Sequence, residues 1–181
     1  RLLPAAPAGT GAWGSHRPAA WVAAAVAHRG AKGAVERALQ RNPGLAEAIT
    51  SLGKVLGWLE WKFTAAEAHL AHAVSLAPNY AEAHYVHGTL LPAVGRLNDA
   101  IDTIRKALLL DPLSVHYSEW LARFLLYDGD YDAAIAQGER TMEMDEICHR
   151  APHYIGSALL AKGHPVGAVP WDPRAQELAR R

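Results

Sequence analysis

Ten histidines, one cysteine and eighteen acidic side chains carry most of the chemical reach of this 181-residue sequence. Three histidine pairs stand at helical spacing: His69 with His72, His84 with His87, and His149 with His153. Residues three or four apart share a helix face, and two imidazoles on one face are half of a metal site that needs further donors. No cysteine accompanies the first two pairs, so they read as polar packing residues that need hydrogen-bond partners if buried. Cys148, His149 and His153 form the best set for an adventitious metal, which leaves a histidine-based metal-responsive module as a lesser alternative. No metal site is assigned.

Asp128-Gly129-Asp130-Tyr131-Asp132 with Glu139 has the spacing of calcium-loop positions 1, 3, 5 and 12. Ala133 stands where that loop needs glycine to bend. A turn followed by an acidic helix start explains the acids more simply. Catalytic motifs are absent from the sequence: there is no Gly-rich phosphate loop, G-x-S-x-G elbow or H-E-x-x-H. Cys148 beside His149 is no nucleophile pair, because adjacent helical residues point apart and the chemistry needs a third, orienting group. The chain reads as non-enzymatic and without a cofactor.

The elements that would position these groups recur. Pro43, Pro78 and Pro112 fall about 34 residues apart, each after an apolar run and before a new amphipathic stretch. Proline ends one helix and fixes the turn before the next. In the unit Ala81 to Ser114, Gly88 is position 8, Gly95 position 15, Ala100 position 20, Ile104 position 24, Ala107 position 27 and Pro112 position 32. Small residues at 8, 20 and 27 let two helices approach, and Gly95 permits the turn between them. Val115 to Cys148 repeats the plan with Ala122, Gly129 and Ala134, Glu146 replacing the proline. Ala46 to Tyr80 repeats it with Gly53, Ala66, Leu70 and Ala73, and carries one extra residue, placed in its inner turn around Glu60-Trp61-Lys62-Phe63. Pro92 denies a donor to the Gly88 carbonyl, so the first helix of the middle unit should kink or loosen there.

This pattern resembles the tetratricopeptide repeat family, in particular the repeat arrays of bacterial multidomain regulators. The resemblance implies an all-α, right-handed solenoid of about four helix hairpins with degenerate ends. We expect an irregular segment at 1–18, an array at 19–169 (units about 19–45, 46–80, 81–114, 115–148 and 149–169) and a degenerate segment at 170–181. The start at Arg1 is read as a fragment or processed chain without a signal peptide.

Lysine plus arginine equals aspartate plus glutamate, 18 each, so net charge is zero. That removes the electrostatic case for nucleic acid or an anionic membrane. A single cysteine excludes an internal disulfide, and no apolar run approaches the roughly 20 residues of a membrane span. A cytoplasmic signalling or scaffold role is expected.

What remains is surface. The resemblance implies that the first helix of each unit lines a concave groove through positions 2, 5, 9, 12 and 13. Those positions hold Glu47, Thr50, Lys54 and Trp58, then Glu82, Tyr85 and Thr89, then His116, Glu119, Arg123 and Tyr127. Aromatic anchors beside an arginine suit a peptide. The Lys and Asn with which chaperone-binding members hold a C-terminal carboxylate are missing, which argues against that ligand. The expected function is protein–protein interaction, with a peptide or protein segment, of another protein or of the parent chain, held in the groove. The alternative is a self-assembly or spacer scaffold using exposed apolar end residues such as Trp171 and Leu178.

Overall fold

A computed structural model describes residues 30, 32–145 and 147–171. The segments 1–18 and 19–27, Leu178 and most of 170–181 lie outside the described residues. Those described form helices and turns, with no strand among them. In chain order they are α1 (32–41), α2 (Ala46–Lys54), α3 (Phe63–Leu76), α4 (Ala81–Leu90), α5 (Leu97–Leu110), α6 (Val115–Asp128), α7 (Tyr131–Met144), α8 (Arg150–Ala161) and the short α9 (Pro165–Ala168). Helices adjacent in sequence pack as antiparallel pairs, and each pair stacks on the next. None is long and apolar enough to cross a membrane.

The 34-residue period is visible bond by bond. The residue closing each second helix donates its N–H four residues back: Ala77 to Ala73, Asp111 to Ala107, Asp145 to Thr141, at 3.0, 2.9 and 3.1 Å. Three residues on, Tyr80, Ser114 and Cys148 donate to Ala77, Asp111 and Asp145. Ala77 and Asp111 have extended backbones, as residues before a proline must. Asp145 is extended too (φ −149°), although no proline follows; there the turn is held by Asp145 Oδ1 accepting the Ile147 N–H at 3.0 Å.

The turns inside the hairpins differ in one informative place. Gly95, Gly129 and Gly163, 34 residues apart, all have positive φ (80°, 88° and 78°). After each, an N–H closes onto the carbonyl five back: Arg96 to Leu91, Asp130 to Leu125, His164 to Leu159. In the first full hairpin Lys62 instead donates to Leu56, six back. The extra residue therefore lies between Leu56 and Lys62 and is absorbed largely by a π-helical turn, Val55–Leu59, rather than by the loop at 60–63. Trp61, 34 residues before Gly95, takes the left-handed conformation (φ 57°). A non-glycine residue there is strained by about 1–2 kcal/mol. The Trp61 ring is 74% exposed, with one edge-on contact to Phe63. Trp61→Gly is therefore expected to raise stability by about 1 kcal/mol, measured by urea unfolding.

At Pro92 the helix loosens rather than kinks. α4 ends at Leu90, and Leu91–Val94 continue as a 3₁₀ turn with Pro92 near its start, where a missing N–H costs nothing.

Close approach of the paired helices follows from the small residues. A Cβ on Gly88 would lie 2.8 Å from the Ile104 side chain. Ala66, Ala73, Ala100, Ala107, Ala122 and Ala134 are fully buried, and Leu70, Leu91, Ile104 and Ile155 fill the spaces between helices. Packing thus fixes the first helices, α2, α4, α6 and α8, side by side as one face.

Candidate functional site

Groove positions project from this face, but the neighbouring units use many of them. Lys54 of α2 pairs with Glu82 Oε1 of α4, while Tyr117 of α6 donates its hydroxyl to Glu82 Oε2 at 2.9 Å. Tyr85 stacks on Tyr117, centroids 4.8 Å apart, and its hydroxyl lies 2.6 Å from His116 Nε2. Glu119 accepts hydrogen bonds from the Cys148 thiol at 2.9 Å and from Arg150 Nη1 at 3.4 Å, with His116 Nδ1 at 3.8 Å. Ion pairs, a tyrosine stack and carboxylate bonds thus join all four first helices.

Three expected groove residues are therefore not displayed. Tyr85 is only 4% exposed, and Thr50 and Glu119 are buried as well. Thr50 turns its hydroxyl back to the Ala46 carbonyl. Burial, with Glu82 adding to it, pushes the Tyr85 hydroxyl up to about 12 and the Tyr117 hydroxyl higher. Neither is a base or nucleophile near neutral pH. The Cys148 thiol is also pushed up, by burial and by its bond to Glu119, so it stays protonated and unreactive.

The displayed residues are Glu47, Trp58, His116 and Tyr127, with Thr89 and Arg123 half-buried. Trp58 is position 13 counted from Ala46 but 34 residues before Pro92, position 12, because the π turn shifts its register.

Arg123 is held in a defined pose on α6. Its guanidinium carbon lies 4.7 Å from the Trp120 ring centre and 5.3 Å from that of Tyr127. Its Nε–H donates to the Tyr127 hydroxyl at 3.0 Å. Among the described residues no acceptor occupies its Nη atoms, so the outer fork faces a 58%-exposed tyrosine and solvent. On α8, Tyr154 lies close enough for Arg123 and Arg150 to temper the upward push that burial gives its hydroxyl. Trp120 was outside the positions that the repeat resemblance marks. Its signal was local: three residues before Arg123, with Tyr127 four after, the spacing at which helical side chains meet.

The other sequence motifs resolve into structural roles. His84 is buried with Nε2 2.8 Å from the Pro78 carbonyl, which can only accept, so Nε2 carries the proton. Asp130 caps α7 by accepting the Ala133 N–H, and Asp132 pairs with Lys162. Among the described residues no group of three His, Cys, Asp or Glu side chains is placed to hold a metal ion. Trp171 is partly buried.

His87 sits at the junction of three helices, with Nε2 3.5 Å from Glu67 Oε1 of α3, an oxygen that also accepts from Arg96. Burial lowers its pKa below 6.5, Glu67 opposing and Arg96 and His84 assisting. On acidification the unfolded chain takes this proton first, so the contribution is present above pH 6.5 and lost as pH falls through the folded value. Urea unfolding at pH 7.0 and 5.5 is expected to show a smaller loss for His87→Gln than for the parent.

The stacked hairpins and the face they share define a helical-repeat solenoid. No protein-family model matches the chain, and no curated protein matches it. Among solved structures it is similar to MamA, with 27% identity, a TM-score of 0.71, and coverage of 83% of this chain and 87% of that one. It is similar to YrrB, a TPR protein with an unusual peptide-binding site, at 17% identity and TM-score 0.68, covering 90% and 88%. A thermophilic TPR protein of Thermus thermophilus, TTC0263, matches at 19% and TM-score 0.67, covering 90% and 88%. The fold of the chain is TPR-like.

Proposed function

We propose that the chain is a non-enzymatic protein-interaction module that holds a peptide or protein segment along the face made by α2, α4, α6 and α8. The carrying observation is Arg123, set against Trp120 and Tyr127 with its outer fork unoccupied. A guanidinium already oriented by stacking loses less side-chain freedom on binding than a free one. Arginine and tyrosine are also the residue types that most often dominate interfaces. At the fold level the same architecture carries a peptide-binding site in YrrB. Lys54 and Glu82, satisfied by each other and by Tyr117, hold the floor in shape. The segment belongs to a separate protein or to a larger regulatory chain that contains this array.

Random peptides displayed on phage and selected on the full chain test this. A class of selected peptides is expected to bind the Arg123→Ala, Tyr127→Ala double variant at least tenfold more weakly, a loss of about 1.4 kcal/mol. Melting temperature and circular dichroism should be unchanged. A selection that yields no peptide weakened by the double variant would overturn the reading, and concentration-dependent assembly in light scattering without peptide binding would favour the self-assembly scaffold.

A further inference from the structure

The second helices carry a separate feature. α5 and α7 stand apart, and between them runs an open cleft of about 690 Å³ with α6 as its floor. The floor and lower walls are apolar: Leu108, Leu121, Leu125, Ala136 and Met144. Leu109, on the α5 rim, is 75% exposed, and Leu113 just beyond it 82%. Exposed leucines beside an apolar cleft mark an interaction surface more often than chance exposure does.

Charge on the rim narrows the occupant. Arg105 stands on the α5 wall and Arg140 on the α7 wall. Stepping back 34 residues from Arg140 gives Lys106, the neighbour of Arg105, so the two arginines lie within one residue of the same height of the repeat, on opposite walls. Arg140 makes no ion pair with any described residue. Arg105 pairs only with Asp102, one turn back on its own helix, and both side chains are more than half exposed. Such a pair contributes little and exchanges readily. The rim's single acid, Glu143, is one turn further along α7, level with Leu109. We infer that this cleft is a second binding site, for an amphipathic segment of another protein. Its apolar side chains would lie over Leu108, Leu109, Leu121 and Leu125, with a carboxylate between Arg105 and Arg140. Met144 gives the floor an adaptable wall. The site is independent of the groove reading.

The test uses the same random-peptide selection on the full chain, followed by two surface variants. Leu109→Glu and Arg140→Glu alter exposed rim residues, so the fold should persist, which circular dichroism checks. A class of peptides is expected that combines Leu, Met or Phe with Asp or Glu. These should bind Arg140→Glu and Leu109→Glu at least tenfold more weakly, yet bind Arg123→Ala as they bind the parent. Absence of any class with that pattern would overturn the proposal, as would cleft-dependent peptides without acidic residues. Sedimentation equilibrium covers the other occupant: a dimer of the parent that Leu109→Glu dissolves would assign the cleft to a second copy and also overturn it. Failure of the groove reading alone would show as loss of Arg123-dependent peptides while the cleft-dependent class remains.

Discussion

Tyr85→Ala is expected to lower the unfolding free energy by about 3–5 kcal/mol, the range for removing a large buried aromatic side chain. The ring lies against Tyr117 and near Trp120 and His116, so its loss opens a void between α4 and α6 that fixed helices cannot close. Tyr85→Phe keeps the stack and loses only the His116 bond, at about 1 kcal/mol. Urea unfolding of the three proteins checks this. A small cost for the alanine variant would mean that Tyr85 is a displayed groove residue after all.

Ile104→Ala is expected to cost about 2–5 kcal/mol. Ile104 is fully buried at the middle of the α4–α5 seam, and its side chain lies where a Cβ on Gly88 would go. Gly88→Ala alone should destabilise by about 1–3 kcal/mol through overpacking. The Ala100 carbonyl oxygen, 3.3 Å from the same position, limits how far the helix can yield. In the double variant each change relieves the other: the new methyl enters the space the isoleucine vacated. The pair should therefore cost less than the sum of the single changes, by more than the roughly 0.5 kcal/mol tolerance seen for independent sites. Additive costs would show that the two residues do not share the seam.

The repeat itself was legible because its signals are local and recur. Proline at position 32, glycine at 15 and small residues at 8, 20 and 27 each constrain a few neighbouring residues, and the closing hydrogen bonds fall at the same spacing. The extra residue of the first full hairpin was countable, but not its location. A loop insertion and a π turn have the same length, and the π turn sets Gly57 directly against Leu90 of the next unit, a contact the first unit's own sequence does not show.

The site was less legible. Groove positions assigned helix by helix say which way a side chain leaves its own helix, not what the next helix lays over it. Tyr117 and Trp120 of α6 reach across to cover Tyr85 of α4. Cys148 and Arg150, near the start of α8, likewise take up Glu119. These contacts span 29 to 35 residues and depend on the stacking of units. Arg123 and Tyr127 stayed displayed because the bond and ring contacts that hold them lie within α6.

The most direct test of the interaction reading is where a selected, Arg123-dependent peptide sits. Amide NMR shifts of the labelled chain during its titration are expected to move along α6 and α8, around Arg123, Tyr127 and Tyr154, and to extend towards Thr89 and Trp58. The outer surfaces of α3, α5 and α7 should stay still. Shifts confined to those second helices, or spread evenly over the chain, would contradict the account.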